Sequence, residues 1–249
     1  MRGSRWVLLV GMLVAGPAGA QTAPPAPVTV SGSATLVTDY RLRGLSQSDR
    51  DPAVQTGITV DTLAGIYAGV WASTIGSYVA RGADAEVDLT VGYRRTVAGT
   101  MLDGGVLYYV RPGSIGSTGT YLEPYLNVSK TYGPVAAKIG GNVAWRQSGL
   151  GFDGDRRGGV YAYGELAAGI PRTPLTVTAH VGHSFARNLT TFGQTYTDWS
   201  LTGAYTVHAV TISASYVDTD TRVWRHPTGG AHDGDIAGAG LVGSIALAF

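Results

Sequence analysis

The feature that most constrains this chain is a period-two alternation of apolar and polar residues that recurs in segment after segment. In AEVDLTVGYRR, Val87, Leu89 and Val91 lie on one side of an extended strand, whereas Glu86 and Asp88 lie on the other. About twelve such segments follow one another, each roughly 10 to 13 residues long, the length that a tilted strand needs to cross a bilayer. They occupy residues 28–40, 53–63, 65–75, 85–97, 101–111, 120–131, 134–146, 159–170, 175–186, 196–207, 210–222 and 238–249.

The connections between these segments alternate between short and long along the chain. TLAG, VAGT, TYGP, PRTP and TVHA are short, whereas LRGLSQSDRDP and QSGLGFDGDRRG are among the long polar connections. Outer-membrane barrels have short periplasmic turns and long extracellular loops, and every backbone group within hydrocarbon must be paired. The pattern therefore predicts an all-β fold: a transmembrane antiparallel β-barrel of about 12 strands, closed by pairing of the final GSIALAF with the first strand.

The apolar face of each strand is predicted to meet lipid, with aromatic side chains at its ends. In segment 65–75 both faces carry large apolar side chains, with Ile66 and Val70 on one and Tyr67 and Trp71 on the other. The pattern therefore does not decide which face meets lipid. The aromatic residues assigned to the interfacial girdles are Tyr40, Tyr93, Trp145, Tyr205, Tyr216 and Phe249.

The N-terminus has the pattern of a secretory signal peptide. Two arginines precede an apolar run that ends in small residues before Gln21, so residues 1–20 are predicted to be removed on export. Residues 21–27 are predicted to form a Pro-rich disordered lead-in, and residues 28–249 a single barrel domain. The chain has no cysteine, and its net charge of +1 gives no reason to expect nucleic acid as a partner.

The stretch VTDYRLRGLSQSDRDPAVQTGITVD, together with AEVDLTVGY and YTDWSL, resembles the TorF-type porin family of bacterial outer membranes. The resemblance implies a monomer-sized pore in a Gram-negative envelope. The terminal Phe249 also resembles the signature that the barrel assembly machinery recognises, which makes that machinery an expected partner. Thr38 and Leu42 are mild departures from the family pattern. The motif residues are Asp39, Tyr40, Arg43, Gly44, Ser46 and Gln47.

Charged residues on the polar face are the candidates for a pore. If the first strand continues far enough, Asp39, Arg41 and Arg43 share one face at its outer end, where they would either select anions or fix the first loop through charge-assisted hydrogen bonds. The remaining predicted pore-lining residues are mixed in sign and comprise Glu86, Asp88, Arg94, Asp103, Arg111, Glu123, Asn127, Lys138, Arg146, Glu165 and His180.

The function predicted from these features is a porin-like channel in the bacterial outer membrane for passive diffusion of small hydrophilic solutes or ions, without a cofactor, a metal site or catalytic residues. Lipid of that membrane is the surrounding partner. One alternative is a non-conducting barrel whose extracellular loops have a structural or ligand-binding role. Another is an outer-membrane hydrolase, for which Asp218, Asp220, Asp233 and His226 would supply rim carboxylates and a base.

Overall fold

The computed structural model describes residues 7–9, 12–14, 27–224 and 234–249. Its central feature is a closed barrel of twelve antiparallel strands, which confirms the predicted fold class. The strands are β1 Val28–Val37, β2 Ala53–Thr62, β3 Ile66–Thr74, β4 Ala85–Val97, β5 Thr100–Val110, β6 Tyr121–Tyr132, β7 Val135–Gln147, β8 Arg157–Gly169, β9 Leu175–Ser184, β10 Tyr196–Val207, β11 Val210–Thr219 and β12 Gly240–Ala248.

The two ends of the barrel sequence pair with each other. Each strand pairs with its neighbours in the chain, and β12 pairs with β1 in a register that sets Leu247 opposite Ala34. Beyond this ladder, the Phe249 amide donates to the Gly32 carbonyl at 3.0 Å, and the Gly32 amide donates to the Phe249 carbonyl at 2.7 Å. The final strand therefore closes the barrel as predicted, and this closure leaves no unpaired strand edge.

The two ends of the barrel differ in the length of their connections. At one end, tight turns join successive strands. In the turn from β4 to β5, Ala98 and Gly99 both have positive φ, as a two-residue hairpin with a compatible twist requires. This end is called the short-turn end. At the other, the long-loop end, the connections span residues 38–52, 75–84, 111–120, 148–156, 185–195 and 220–239.

The outward face of the strands is apolar. Ile66 and Val70 of β3 are exposed outward, whereas Tyr67 is buried and Trp71 partly buried inside, so the structure settles the orientation that the sequence left open. The other exposed aliphatic side chains on the strands include Val30, Leu36, Val54, Ile58, Leu89, Val91, Val106, Leu126, Ile139, Val143, Val160, Leu166, Val181, Leu201, Ile212, Leu241, Ile245 and Leu247.

Most of the aromatic residues predicted for the girdles are exposed on this outer surface: Tyr93, Trp145, Tyr205, Tyr216 and Phe249. The prediction is wrong for Tyr40, which is buried inside the barrel. Its Oη donates to Glu86 Oε1 at 2.8 Å. The reason is that β1 ends at Val37, so the strand alternation does not extend to residue 40.

The remaining elements are short. Val7–Leu9 pairs with Met12–Val14, and Arg41–Leu42 pairs with Leu45–Ser46. Single 3₁₀ turns occur at Ile115–Ser117, Ser148–Leu150 and Leu189–Thr191. Within the described ranges, no helix combines the length and apolarity needed to span a membrane. Most of the predicted signal peptide and of the lead-in at 21–27 lies outside the described residues.

Candidate functional site

The first long connection, residues 38–52 and here called loop 1, folds into the barrel. Leu45 and Ser46 have no exposed surface at all, although the sequence places them in a polar loop between two strands. Loop 1 leaves the wall between β1 and β2, yet Arg43 contacts β6 and β8. In a ring of twelve strands β7 lies opposite β1, so loop 1 crosses the whole lumen near the long-loop end.

Loop 1 is held in shape by its own polar side chains. Arg41 Nε donates to Asp39 Oδ2 at 2.5 Å, and Ser46 Oγ donates to Asp39 Oδ1 at 2.6 Å. Arg41 Nη1 also donates to the carbonyl of Gly44 at 2.9 Å. The predicted extension of the first strand is therefore wrong, since the strand ends at Val37. Asp39 and Arg41 lie in a buried hydrogen-bonded hairpin.

Arg43, at the turn of this hairpin, joins loop 1 to the opposite wall. Its Nη2 lies 2.6 Å from Glu123 Oε2, and its guanidinium lies 4.3 Å from the centre of the Tyr161 ring. Burial by itself lowers the pKa of Arg43, but the Glu123 carboxylate and the neighbouring Tyr109 and Tyr121 together raise that pKa well above its ordinary value. Arg43 is therefore a permanent cation that locks loop 1 across the lumen.

Gly44 allows this close approach. Its φ is +80°, and a Cβ at this position would lie 2.5 Å from Thr219 Cγ2 and 2.8 Å from Asp198 Cβ. The glycine of the sequence motif thus has a structural reason: the tip of loop 1 rests against the inner surface of β10 and β11. Ile236 and Ala237, from the last long connection, are also almost fully buried at this end.

Two buried glutamates, Glu123 and Glu86, lie on the wall that loop 1 touches. Glu123 accepts hydrogen bonds from Asn142 Nδ2 at 3.1 Å and from Tyr109 Oη at 3.2 Å. Glu86 forms an ion pair with Arg111, and both side chains are almost completely buried. Arg111 Nη1 donates to the Gly119 carbonyl at 2.6 Å, which ties this pair to the third long connection.

Nearer the short-turn end, the same wall carries further paired charges. Arg94 forms an ion pair with Asp61 and lies over the Tyr67 ring, whose hydroxyl donates to Asp103 Oδ1 at 2.7 Å. Lys138 Nζ lies 3.7 Å from Glu165 Oε2.

Between these levels, polar side chains from β6 and from β8 to β10 meet in the lumen. Tyr163 Oη donates to Asn127 Oδ1 at 2.8 Å. His180 Nε2 lies 3.2 Å from Asp198 Oδ1 and 3.0 Å from Tyr161 Oη. The predicted inward residues of β4 to β9 other than Arg146 are thus found together inside the barrel.

The opposite side of the lumen is built from small hydroxyl side chains. Thr202 and Ser215 hydroxyls lie 2.8 Å apart, and so do those of Ser213 and Ser244. We call this surface the hydroxyl wall. It comprises Thr176, Thr178, Ser200, Thr202, Thr206, Thr211, Ser213, Ser215 and Ser244, all partly exposed. All of these side chains are short, and none of them carries a formal charge.

Most of the charged side chains inside the barrel form ion pairs. Five lumen cations each have a carboxylate partner, in the pairs Arg41–Asp39, Arg43–Glu123, Arg94–Asp61, Arg111–Glu86 and Lys138–Glu165. Among the described residues, three inward carboxylates form no ion pair with lysine or arginine: Asp88, Asp103 and Asp198. Of these three carboxylates, only Asp198 has the His180 imidazole beside it.

Arg146 does not lie inside the barrel, contrary to the prediction. The β7–β8 register shifts between Ala144 and Gln147, and the Gln147 side chain instead hydrogen-bonds the Leu122 backbone on β6 at 2.8 Å. This bulge leaves Arg146 exposed together with Trp145 at the long-loop end. Strand alternation alone cannot reveal such an inserted residue.

The rim residues considered for a hydrolase are engaged in local contacts or fall outside the described residues. Tyr216 Oη donates to Asp218 at 2.9 Å, and the Thr197 amide donates to Asp220 at 2.7 Å. His226 and Asp233 lie outside the described residues. In the part of the chain that the structure describes, no three histidine or acidic side chains are placed to hold a metal ion.

The sequence did not reveal two features: the inward course of loop 1, and the contacts of Asp198 with Tyr161 and His180 inside the barrel. Leu42 and Leu45 offered one signal, because two leucines in an otherwise polar connection indicate burial.

Comparison with known proteins shows both a family and a fold. A family profile described as "Bacterial protein of unknown function (Gcw_chp)" matches residues 21–235. No curated protein matches the chain in sequence.

Among solved structures, the chain resembles the KdgM porin with a TM-score of 0.57 at 7% identity, covering 88% of this chain and 99% of that one. It resembles the NanC porin with a TM-score of 0.56 at 16% identity, covering 89% and 99%. It also resembles the COG4313 outer membrane channel from Pseudomonas putida F1, with a TM-score of 0.50 at 11% identity, covering 91% and 96%. At such identities the likeness shows the fold, which is that of small bacterial outer-membrane channels.

Proposed function

The chain belongs to the Gcw_chp family, and we propose that it is a TorF-type outer-membrane channel for passive diffusion of small hydrophilic solutes or ions. In this proposal the long-loop end faces the cell surface and the short-turn end faces the periplasm. Export would use the signal peptide at residues 1–20, and Phe249 would serve the barrel assembly machinery. The channel performs no covalent chemistry.

The observation that carries the proposal is the hydroxyl wall. Its partly exposed serines and threonines run along β9 to β12. These side chains are shorter than the tyrosines, arginines and glutamates that face the lumen from the opposite wall. Hydroxyl groups both donate and accept hydrogen bonds, so they can replace the water around a passing solute without selecting strongly for its charge. The similarity to small outer-membrane channels supports the same proposal.

The charge balance favours cations and neutral solutes over anions. Asp88, Asp103 and Asp198 form no ion pair with lysine or arginine among the described residues, whereas Arg41, Arg43, Arg94 and Arg111 each have a carboxylate partner. Fixed charges at close quarters set the ion preference of a pore. One KdgM porin structure is described as a complex with disordered oligogalacturonate, an acidic saccharide. These three carboxylates give no support for transferring an acidic substrate to this chain.

A second candidate is a non-conducting barrel with a structural or ligand-binding role in its extracellular loops. The observation that favours it is the filling of the long-loop end by loop 1 and by residues such as Ile236 and Ala237, which are almost fully buried. On this alternative the hydroxyl wall would line a cavity that opens only toward the short-turn end.

Planar bilayer recording separates the two candidates. The wild-type protein and a variant in which residues 41–50 are replaced by a short Gly-Ser linker are inserted and their conductance compared. The channel proposal predicts discrete steps for the wild type and larger steps for the shortened variant, with a reversal potential in a salt gradient that indicates cation preference. A silent wild type with a conducting variant supports the non-conducting barrel. Silence of both, with insertion verified, rejects the channel.

A further inference from the structure

A cleft at the long-loop end lies outside the lumen and is not used by the channel. The bulge at the end of β7 forms one side, the start of β8 forms the floor, and the segment after β9 forms the other side. The cleft has a volume of about 490 Å³ and is open to solvent. Its polar lining consists mainly of the side chains of Arg146, Asp155, Arg156, Arg157 and Arg187.

The cleft is strongly basic. It contains four arginines and one aspartate, so its net charge is +3. Arg157 Nε lies 2.7 Å from Asp155 Oδ2, which accounts for the single carboxylate. The exposed side chains of Arg146, Arg156 and Arg187 form no ion pair with any carboxylate in the described part of the chain. Clustered guanidinium groups repel one another unless an anion joins them, and their planar forks match phosphate oxygens.

Apolar surface continues directly below this charge. Val143 and Val160 are paired across β7 and β8, and the Phe185 amide donates to the Val160 carbonyl at 2.9 Å. The side chains of Val143, Val160 and Phe185 are all exposed outward, and the half-exposed Trp145 lies at the junction between the apolar row and the arginines. A soluble anion would use only the upper half of this surface. An amphiphile with phosphates above acyl chains would use all of it.

We propose that this cleft binds the phosphorylated headgroup of an acylated glycolipid in the outer leaflet of the outer membrane. The arginines contact the phosphates, and the acyl chains lie along the apolar row of Val143, Val160 and Phe185. The inference rests on the placement of the long-loop end at the cell surface and does not require that the barrel conducts. It also gives the exposed Arg146 a role that a residue inside the pore would not have.

The test titrates purified protein in neutral detergent with diphosphoryl lipid A and measures complex formation by native mass spectrometry. The test variant is Arg156→Gln with Arg187→Gln, because neither side chain makes an ion pair that its removal would break. The matched control is Arg95→Gln with Arg172→Gln, two exposed arginines at the short-turn end. At about fivefold per arginine near an anionic surface, the test variant should bind about 25-fold more weakly, and the control should bind as the wild type does.

Two further probes identify what is recognised. Lipid A stripped of its phosphates should bind the wild type as weakly as diphosphoryl lipid A binds the test variant. Inorganic pyrophosphate should compete poorly, because it lacks the acyl chains. Equal binding by the test variant and the wild type overturns the proposal, and so does equal binding of the phosphate-free lipid. Pyrophosphate binding as tight as that of the lipid would identify a free-anion site instead.

Discussion

Replacing Arg43 by Gln should release loop 1 from the lumen. Arg43 and Glu123 are 2.6 Å apart, with side chains only 15% and 5% exposed, so the change leaves a buried carboxylate without its cation. Breaking a buried pair in this way costs about 3 to 5 kcal/mol. Glu123 keeps its hydrogen bonds from Asn142 and Tyr109, which places the expected loss near the lower value. About 3 kcal/mol corresponds to a roughly 100-fold larger population of the released loop.

Hydrogen exchange of the loop 1 amides and single-channel conductance together measure this release. The Arg43→Gln variant should exchange its loop 1 amides roughly 100-fold faster than the wild type, because exchange follows local opening. It should also conduct more, with a stronger cation preference. The double variant Arg43→Gln with Glu123→Gln removes both charges and should recover much of the protection. If loop 1 protection in Arg43→Gln equals that of the wild type, the Arg43–Glu123 pair does not hold the loop.

Three further predictions concern loop 1 and the charged residues inside the barrel. Gly44→Ala should lower the free energy of opening of loop 1, measured by hydrogen exchange, by more than about 1 kcal/mol, because Gly44 has a positive φ and no room for a Cβ. The control is Gly99→Ala, since Gly99 also has a positive φ but has open space around it. Arg111→Ala should lower the free energy of unfolding in urea by about 3 to 5 kcal/mol, since its buried partner would lose its cation; a smaller loss than 1 kcal/mol would contradict this. Asp103→Asn should shift the reversal potential toward weaker cation preference, whereas Asp84→Asn, in an exposed loop, should leave it unchanged.

The barrel itself could be predicted from the sequence because its determinants are periodic. Alternation along a strand specifies which side chains face out, and the strand bounds of β4 and β10 agree with the predicted segments at both ends. Inward placement of Glu123 and Lys138 follows from the same rule. The orientation of β3 could not be deduced, since both of its faces carry apolar side chains and only the inward tyrosine and tryptophan contacts decide it.

Loop 1 and the β7 bulge could not be predicted because neither is periodic. The inward course of loop 1 depends on Arg43 finding Glu123, a residue 80 positions away in the chain. The bulge depends on Gln147 bonding to the backbone of a neighbouring strand. Such contacts arise from tertiary structure, so a local pattern placed Tyr40 and Arg146 on the wrong faces. The arginine cleft could not be predicted either, because it is the β7 bulge that places Arg146 beside the other arginines.

The most direct test of the central claim measures what each face of β10 touches. The chain has no cysteine, so spin labels can be attached singly at Leu201→Cys, whose native side chain is exposed outward, and at Thr202→Cys, which lies on the hydroxyl wall. In reconstituted bilayers, the label at 201 should respond to lipid-soluble oxygen and the label at 202 to a water-soluble nickel complex. Lipid exposure at both positions, or the reverse assignment, would contradict a water-lined lumen inside a lipid-facing barrel.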